Sequence, residues 1–247
     1  MDHNYQIIIE YDGTRFVGWQ YQQNGTSIQE VLEKNLKKLL KKKIKIIGAG
    51  RTDAGVHALG QSANFIIDKK IINTKIFLNS INFFLNRYSI SIISIKKRKL
   101  NFHSRYSAKE RTYLYKITNR NSSLALNKER TWLVKKRIDL DLLKKGAKIL
   151  EGRHDFSTFR ASSCSAKSAV RKISEVKVLK KSVNITIQFR SKSFLQNQVR
   201  SMVGCLKYLA CNNWNLKKFK KILKSKDRKL CAKPAPACGL YLVKIKY

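Results

Sequence analysis

"IKIIGAGRTDAGVHALGQSANFII", residues Ile44 to Ile67, reads as a short strand, a glycine-rich loop and a second strand, with no helix between the two. What flanks it sets the order of elements. Upstream, "YQIIIEYDG" (Tyr5 to Gly13) is a β-rich run that closes on a turn. "TSIQEVLEKNLKKLLKKK" (Thr26 to Lys43) then offers Ser27 and Glu30 as a capping box, with Ile28, Val31, Leu32, Leu36, Leu39 and Leu40 at helical spacing. Downstream, "NTKIFLNSINFFL" reads as a helix and "YSISIISIKK" as a strand. The order βαββαβ predicts a ferredoxin-like unit, in which two helices cover one face of an antiparallel sheet.

The pattern returns after Phe102. A strand "YSAKERTYLYKITN", a helix "DLDLLKKGAKILEG", paired strands "VRKISEVKVLK" and "SVNITIQFR", a helix "FLQNQVRSMVGCLKYLA" and a last strand "GLYLVKIKY" follow in turn, with an extra helix "NLKKFKKILKS" before the last strand. The expectation is an α+β protein of two ferredoxin-like halves, residues 1–104 and 105–247. Their antiparallel sheets would lie side by side with an RNA cleft between them.

Composition narrows the partner. Lys and Arg number 53 against 15 acids, a formal net charge of +38, which points to a polyanion such as nucleic acid. Part of that excess is bland, because Lys, Ile and Asn are over-used together and a run such as "KKLLKKK" decorates a solvated helix face. No apolar run reaches the roughly 18 residues of a membrane span, and "MDHNYQIIIEYDG" lacks the parts of a secretory signal, so a cytoplasmic location is expected. Five cysteines without a C-x-x-C pair suggest neither a disulfide framework nor a zinc ribbon.

Within the quoted loop, Asp53 is the single acid between Glu33 and Asp68. Known glycine-rich loops do not account for it. A dinucleotide fingerprint needs glycine where Asp53 stands, and a phosphate-binding P-loop needs Lys and Ser or Thr where Val56 and His57 stand. Asp53 and His57 are four apart, yet only His3, His103 and His154 remain as further imidazole ligands. A zinc deaminase would show H-x-E and P-C-x-x-C, which this chain lacks. Two readings stay open on the residues alone. Asp53 caps a turn and pairs with Arg51, or it is a carboxylate kept ionised by that arginine and available as a nucleophile.

"GAGRTDAGVHALGQ" (Gly48 to Gln61) closely resembles the signature of the TruA family of tRNA pseudouridine synthases. "YDGTRFVGWQ", "NFHSRYSAKERTYLYKI", "EGRHDFSTF", "FLQNQVRSMVG" and "APACGLYL" resemble that family's other blocks, in the same order. The resemblance implies an isomerase that converts uridine to pseudouridine at positions 38, 39 and 40 of the tRNA anticodon stem-loop. It makes Asp53 the nucleophile, attacking the ribose C1′ or the base C6. It gives Arg51 a part in displacing the target base, pairs Arg200 with the aspartate, packs Tyr113 on the flipped base and makes Leu240 and Leu242 apolar walls. It implies no metal or organic cofactor, and a homodimer.

Other candidates read differently. On a strand, Arg111, Tyr113 and Tyr115 share one face. Phe16 and Trp19 are open to packing or to stacking on RNA, while His57 reads as a turn residue or a support behind the site and His103 as a substrate-cleft or packing residue. Gln196 and Gln198 stand where members often have His and Met, so RNA contacts there are expected to differ. Many members also continue past the last strand, and contacts from such a tail are expected to be absent. A non-catalytic RNA-binding protein is the rival from another class, but the aromatic run of an RRM is not found.

Overall fold

A computed structural model describes residues 1–247. The chain divides into two compact units, Met1–Lys109 with Tyr241–Tyr247, and Glu110–Leu240. This division puts most of the last strand with the first unit, whereas a boundary at residue 104 leaves it in the second.

In the first unit, β1 (His3–Tyr11), α1 (Ile28–Leu40), β2 (Ile47–Gly48), β3 (His57–Ile67), α2 (Thr74–Leu85) and β4 (Ile90–Arg98) follow one another. β1 pairs antiparallel with both β3 and β4, and β2 pairs antiparallel with β3. The strand order is therefore β4-β1-β3-β2. At Tyr241 and Leu242, the strand β10 (Leu240–Lys246) adds a short parallel pairing against His57 and Ala58.

Side-chain period explains this sheet. Tyr5, Ile7, Ile9 and Tyr11 alternate along β1 and are all buried, together with Phe65, Ile92, Leu32, Leu36, Ile81 and Leu85. Part of the remaining face is buried too, but polar. Asn4, Gln6, Ser62 and Asn64 are each no more than 6% exposed, so their polar groups need partners. Gln6 Nε2 donates to Ser62 Oγ (2.8 Å), Asn64 Nδ2 to Asn4 Oδ1 (3.0 Å) and Arg98 Nε to Gln6 Oε1 (2.7 Å). The loop after β4 closes over them, with Asn4 Nδ2 donating to the Phe102 carbonyl (2.8 Å) and the Ser104 N–H to Asn64 Oδ1 (2.9 Å).

β2 is shorter than the sequence suggests. Ile44 and Ile46 are buried, but α1 takes the local backbone groups: the Ile46 N–H donates to Glu33 Oε1 at 2.9 Å and its carbonyl accepts from Gln29 Nε2 at 3.4 Å. Those groups are then spent before a ladder can form.

The second unit contains β5 (Glu110–Asn119), β6 (Trp132–Val134), α3 (Leu140–Ile149), β7 (Gly152–Asp155), β8 (Val170–Lys181), β9 (Asn184–Ser191), α4 (Gln198–Ala210) and α5 (Leu216–Ser225). Its sheet runs β5-β9-β8-β7 with antiparallel neighbours, and β6 lies parallel on β5. α4 is covered nearly all round, with Met202, Val203, Cys205, Leu206 and Leu209 at 0% exposure. α5 instead buries Phe219, Ile222 and Leu223 and turns its lysines outward. No helix is long and apolar enough to cross a membrane.

At the start of α1, the expected capping box is present: the Glu30 N–H donates to Ser27 Oγ (3.2 Å) and the Ser27 N–H reaches Glu30 Oε2 (3.5 Å). Ser27→Ala is expected to lower stability by about 1 kcal/mol. The reading is a lower urea midpoint at unchanged slope.

Candidate active site

The turn that carries Asp53 is built by two loops of the first unit pressed together, backbone on backbone. After β1, the Gly13 N–H donates to His57 Nδ1 (3.1 Å), and a Cβ on Gly13 would lie 2.0 Å from the Val56 carbonyl oxygen. Gly18 has φ +116° and forms an isolated antiparallel bridge with Asp53; a Cβ there would lie 2.6 Å from the Thr52 carbonyl oxygen. Only glycine combines that dihedral with that approach. The Trp19 N–H donates to the Thr52 carbonyl (3.0 Å), and the Gly55 N–H to the Phe16 carbonyl (3.3 Å).

The turn also closes on itself. The Val56 N–H donates to the Asp53 carbonyl at 3.1 Å, with Gly55 at φ +74°, the positive value a type II turn requires in its third position. Thr52 is buried and its Oγ1 lies 2.8 Å from the Tyr11 hydroxyl. The strand side is tied by Gln61 Nε2 to the Gly50 carbonyl (2.7 Å) and by the Ala49 N–H to the Ser62 carbonyl (2.8 Å). On this frame Arg51 is exposed and Asp53 is half-buried.

Neighbouring aromatics are structural. Trp19 is 3% exposed and Phe16 is 7% exposed. The Trp19 indole fills the space a Gly48 side chain would take, 2.5 Å from that position. His57 is buried and stacks on Tyr241, centroids 4.7 Å apart. His103 Nδ1 accepts from the backbone N–H groups of Arg105 (3.2 Å) and Tyr106 (3.3 Å).

In the second unit, Tyr113 stands on β5 opposite Phe189, with Phe194 meeting its ring edge-on at 5.2 Å. Tyr115, two residues on, is fully buried and its hydroxyl donates to the Pro236 carbonyl at 2.7 Å. Burial pushes that phenol above its usual range. Arg111 Nη1 donates to the Lys192 carbonyl.

Arg200 sits in the first turn of α4, half-buried, its Nε donating to the Ala235 carbonyl (2.8 Å) and its Nη1 to Asn197 Oδ1 (3.3 Å). Leu240 is 5% exposed and Leu242 is 0% exposed. Gln198, one of the two departures from the family pattern, lies inside the unit. It is fully buried, and its Oε1 accepts from the Leu195 N–H at 2.8 Å, so it shapes the entry to α4 and has no surface to offer RNA.

Asp53 and Arg51 thus share one turn of the first unit, while Tyr113, Arg200 and Leu240 belong to the second. Gly13 and Gly18, which set the turn, were not singled out in the sequence. The signal for them lay in "YDGTRFVGWQ", read there only as a block.

The sequence profile of the family described as tRNA pseudouridine synthase matches residues 7–107 and again residues 147–247. The chain belongs to that family. A tRNA pseudouridine synthase A of Pelagibacter ubique is 57% identical over 243 residues, 98% of this chain and 99% of the relative. Those of Parvibaculum lavamentivorans and Ehrlichia canis are each 42% identical, covering 98% of this chain and 98% and 99% of the relatives. Among solved structures, a chain in a crystal structure of a Cbf5-Nop10-Gar1 complex aligns with a TM-score of 0.39 and 12% identity over 83% of this chain and 44% of that chain, too loosely to argue from. Asp53 and Arg51 lie in the first family match and Arg200 and Leu240 in the second; Tyr113 falls between the two.

Gly18→Ala is expected to cost of the order of 1–3 kcal/mol, since it forces a side chain into a positive φ against backbone. Chemical denaturation measures it, with Gly152→Ala as the control: that residue has φ +98° but a nearest atom no closer than 3.5 Å.

Proposed function

We propose that this tRNA pseudouridine synthase modifies uridines 38, 39 and 40 of the anticodon stem-loop, with Asp53 as the nucleophile. The enzyme is an isomerase, and its reaction changes no atom count. The bond from C1′ to N1 breaks, a bond from C1′ to C5 forms, the C5 proton leaves and N1 gains one. A carboxylate can serve by adding to C1′ or to C6 and departing again. The observation that carries this reading is the glycine-held turn, which fixes a half-buried acid through several backbone bonds and leaves it partly accessible.

The other roles follow as parts of the same proposal. A paired base must leave its stack to be reached, at a cost of a few kcal/mol. Arg51, exposed on the turn, helps displace it. Tyr113 offers a ring to the extruded base, and its fixed edge-on contact with Phe194 supports that task. Tyr115 is unsuited, because its ring and hydroxyl are both used inside the unit. Arg200, oriented by Ala235 and Asn197, takes the part the family resemblance gives it as the partner of the aspartate, and Leu240 supplies an apolar wall.

Lysines and arginines give the backbone contacts that dominate affinity. A cleft of about 400 Å³ lined by Lys97, Arg98, Lys99, Asn101, Phe102 and Ser107 is suited to a phosphate. The ferredoxin-like reading of the halves is supported by the β4-β1-β3-β2 order of the first unit and by the doubled family match. The homodimer carries over from the family resemblance, and the cytoplasmic setting from the sequence reading of the N-terminus and apolar runs.

Release of tritium from tRNA labelled at uridine C5 tests the chemistry. Asp53→Asn is expected to fall below detection, a loss of at least ~10³-fold, since a removed nucleophile is not replaced by the remaining groups. Its tRNA affinity is expected to change little. Release at the wild-type rate would remove Asp53 from the reaction. For Tyr113, replacement by Ala is expected to lower turnover by about 5- to 150-fold, because base stacking is worth about 1–3 kcal/mol. Tyr113→Phe keeps the ring and is expected to stay near the wild-type rate.

A further inference from the structure

Two thiols with no part in the proposed chemistry lie against each other in the second unit. Cys205 on α4 and Cys231, just past the short turn Arg228–Leu230, hold their sulfur atoms 3.4 Å apart. Cys205 is fully buried and Cys231 half-exposed.

Their surroundings divide the roles. The contact with Cys231, together with burial, raises the Cys205 thiol. The Cys231 thiol is lowered, first by its contact with Cys205 and also because the Arg228 guanidinium lies nearby. That guanidinium is itself held, with Nη1 donating to Ser201 Oγ (3.0 Å) and to the Thr158 carbonyl (3.3 Å). A reachable sulfur that ionises more readily, backed by a buried thiol, is the arrangement of an attacking and a resolving cysteine.

The segment 231–235 lies along α4 like a strap. The Ala232 N–H donates to Cys205 Sγ at 3.3 Å. A Cβ on Gly204 would lie 2.2 Å from the Lys233 carbonyl oxygen. The Ala235 N–H donates to the Arg200 carbonyl (2.9 Å), and its own carbonyl accepts from Arg200 Nε (2.8 Å). The strap that starts at Cys231 therefore ends by orienting Arg200.

We propose that Cys205 and Cys231 are a reversible dithiol, closed to a disulfide by peroxides, and that closure displaces the strap and slows the enzyme. The Cys231 thiolate attacks one peroxide oxygen, the O–O bond breaks, and a sulfenic acid and hydroxide result. The Cys205 thiol then attacks the sulfenyl sulfur and expels hydroxide, which leaves as water with the thiol proton. In sum two thiols lose two electrons and one peroxide becomes two waters. The sulfur atoms must approach from 3.4 Å to about 2.05 Å. α4 is covered nearly all round by other side chains, so the strap moves, and Gly204 leaves it no room to settle closer. The effect on turnover rests on the role proposed for Arg200; formation of the bond does not.

The test treats the full-length protein with hydrogen peroxide, alkylates the remaining thiols and maps the peptides. A disulfide between Cys205 and Cys231 is expected, reversed by dithiothreitol, with tRNA turnover falling several-fold and recovering on reduction. Cys231→Ser, and Cys205→Ala as a second variant, are expected to hold their turnover through the same treatment. Cysteines that remain free or pass to sulfinic acid without that bond overturn the proposal. A mapped disulfide with unchanged turnover overturns its regulatory half. Full turnover in Arg200→Ala would count against the role of Arg200 and leave the mapped bond standing.

Discussion

The site depends on how closely two stretches of main chain can approach. Residues 13–19 and 52–56 touch through backbone atoms, and they can do so because Gly13 and Gly18 have no side chain where the Val56 and Thr52 carbonyl oxygens stand. The approach turns a glycine-rich stretch, which is entropically loose in the unfolded chain, into a fixed platform. Once fixed, a short acid such as Asp has few positions for its carboxylate, and rigidity of that kind is what a nucleophile needs, because misplacement is costly in rate.

Much of this was legible, and the part that was not shows why. β1 alternates apolar residues at strict period two, and α1 announces itself by a cap and a helical stripe, so both were readable from local pattern. Leu39 and Leu40 belonged to that stripe by spacing but are only half-buried, while Asn35 is buried and returns its Nδ2 to the Val31 carbonyl at 2.7 Å. β6 and β7 escaped notice because three or four residues carry no period, and "GRHD" has no apolar member to suggest a strand. The opening half of β3 was hidden inside the signature stretch, whose glycines read as loop.

The candidate site was legible in a different manner. Asp53 stood out by charge, as a lone acid in a strongly basic chain, and Tyr113 was chosen over Tyr115 by resemblance. The structure buries both rings, Tyr113 at 8% exposure and Tyr115 at 0%, and commits the Tyr115 hydroxyl to the Pro236 carbonyl, a contact no local pattern announces. Gln198 shows the opposite case. It was noted only as a departure from the family's usual residue, yet it is buried, its amide satisfied by the Leu195 backbone N–H and the Met202 sulfur.

The first unit is discontinuous: its last strand pairs Tyr241 with His57, 184 positions earlier in the chain. During synthesis the ribosome would complete almost the whole second unit before that partner emerges. Until then the edge of β3 at His57 and Ala58 lacks this neighbour, and such unpaired edges invite association with other chains. The strand that follows the Asp53 turn would thus gain this neighbour only at the close of translation. Premature termination shortly before position 241 would leave a nascent chain with that turn made and the strand edge beyond it still open.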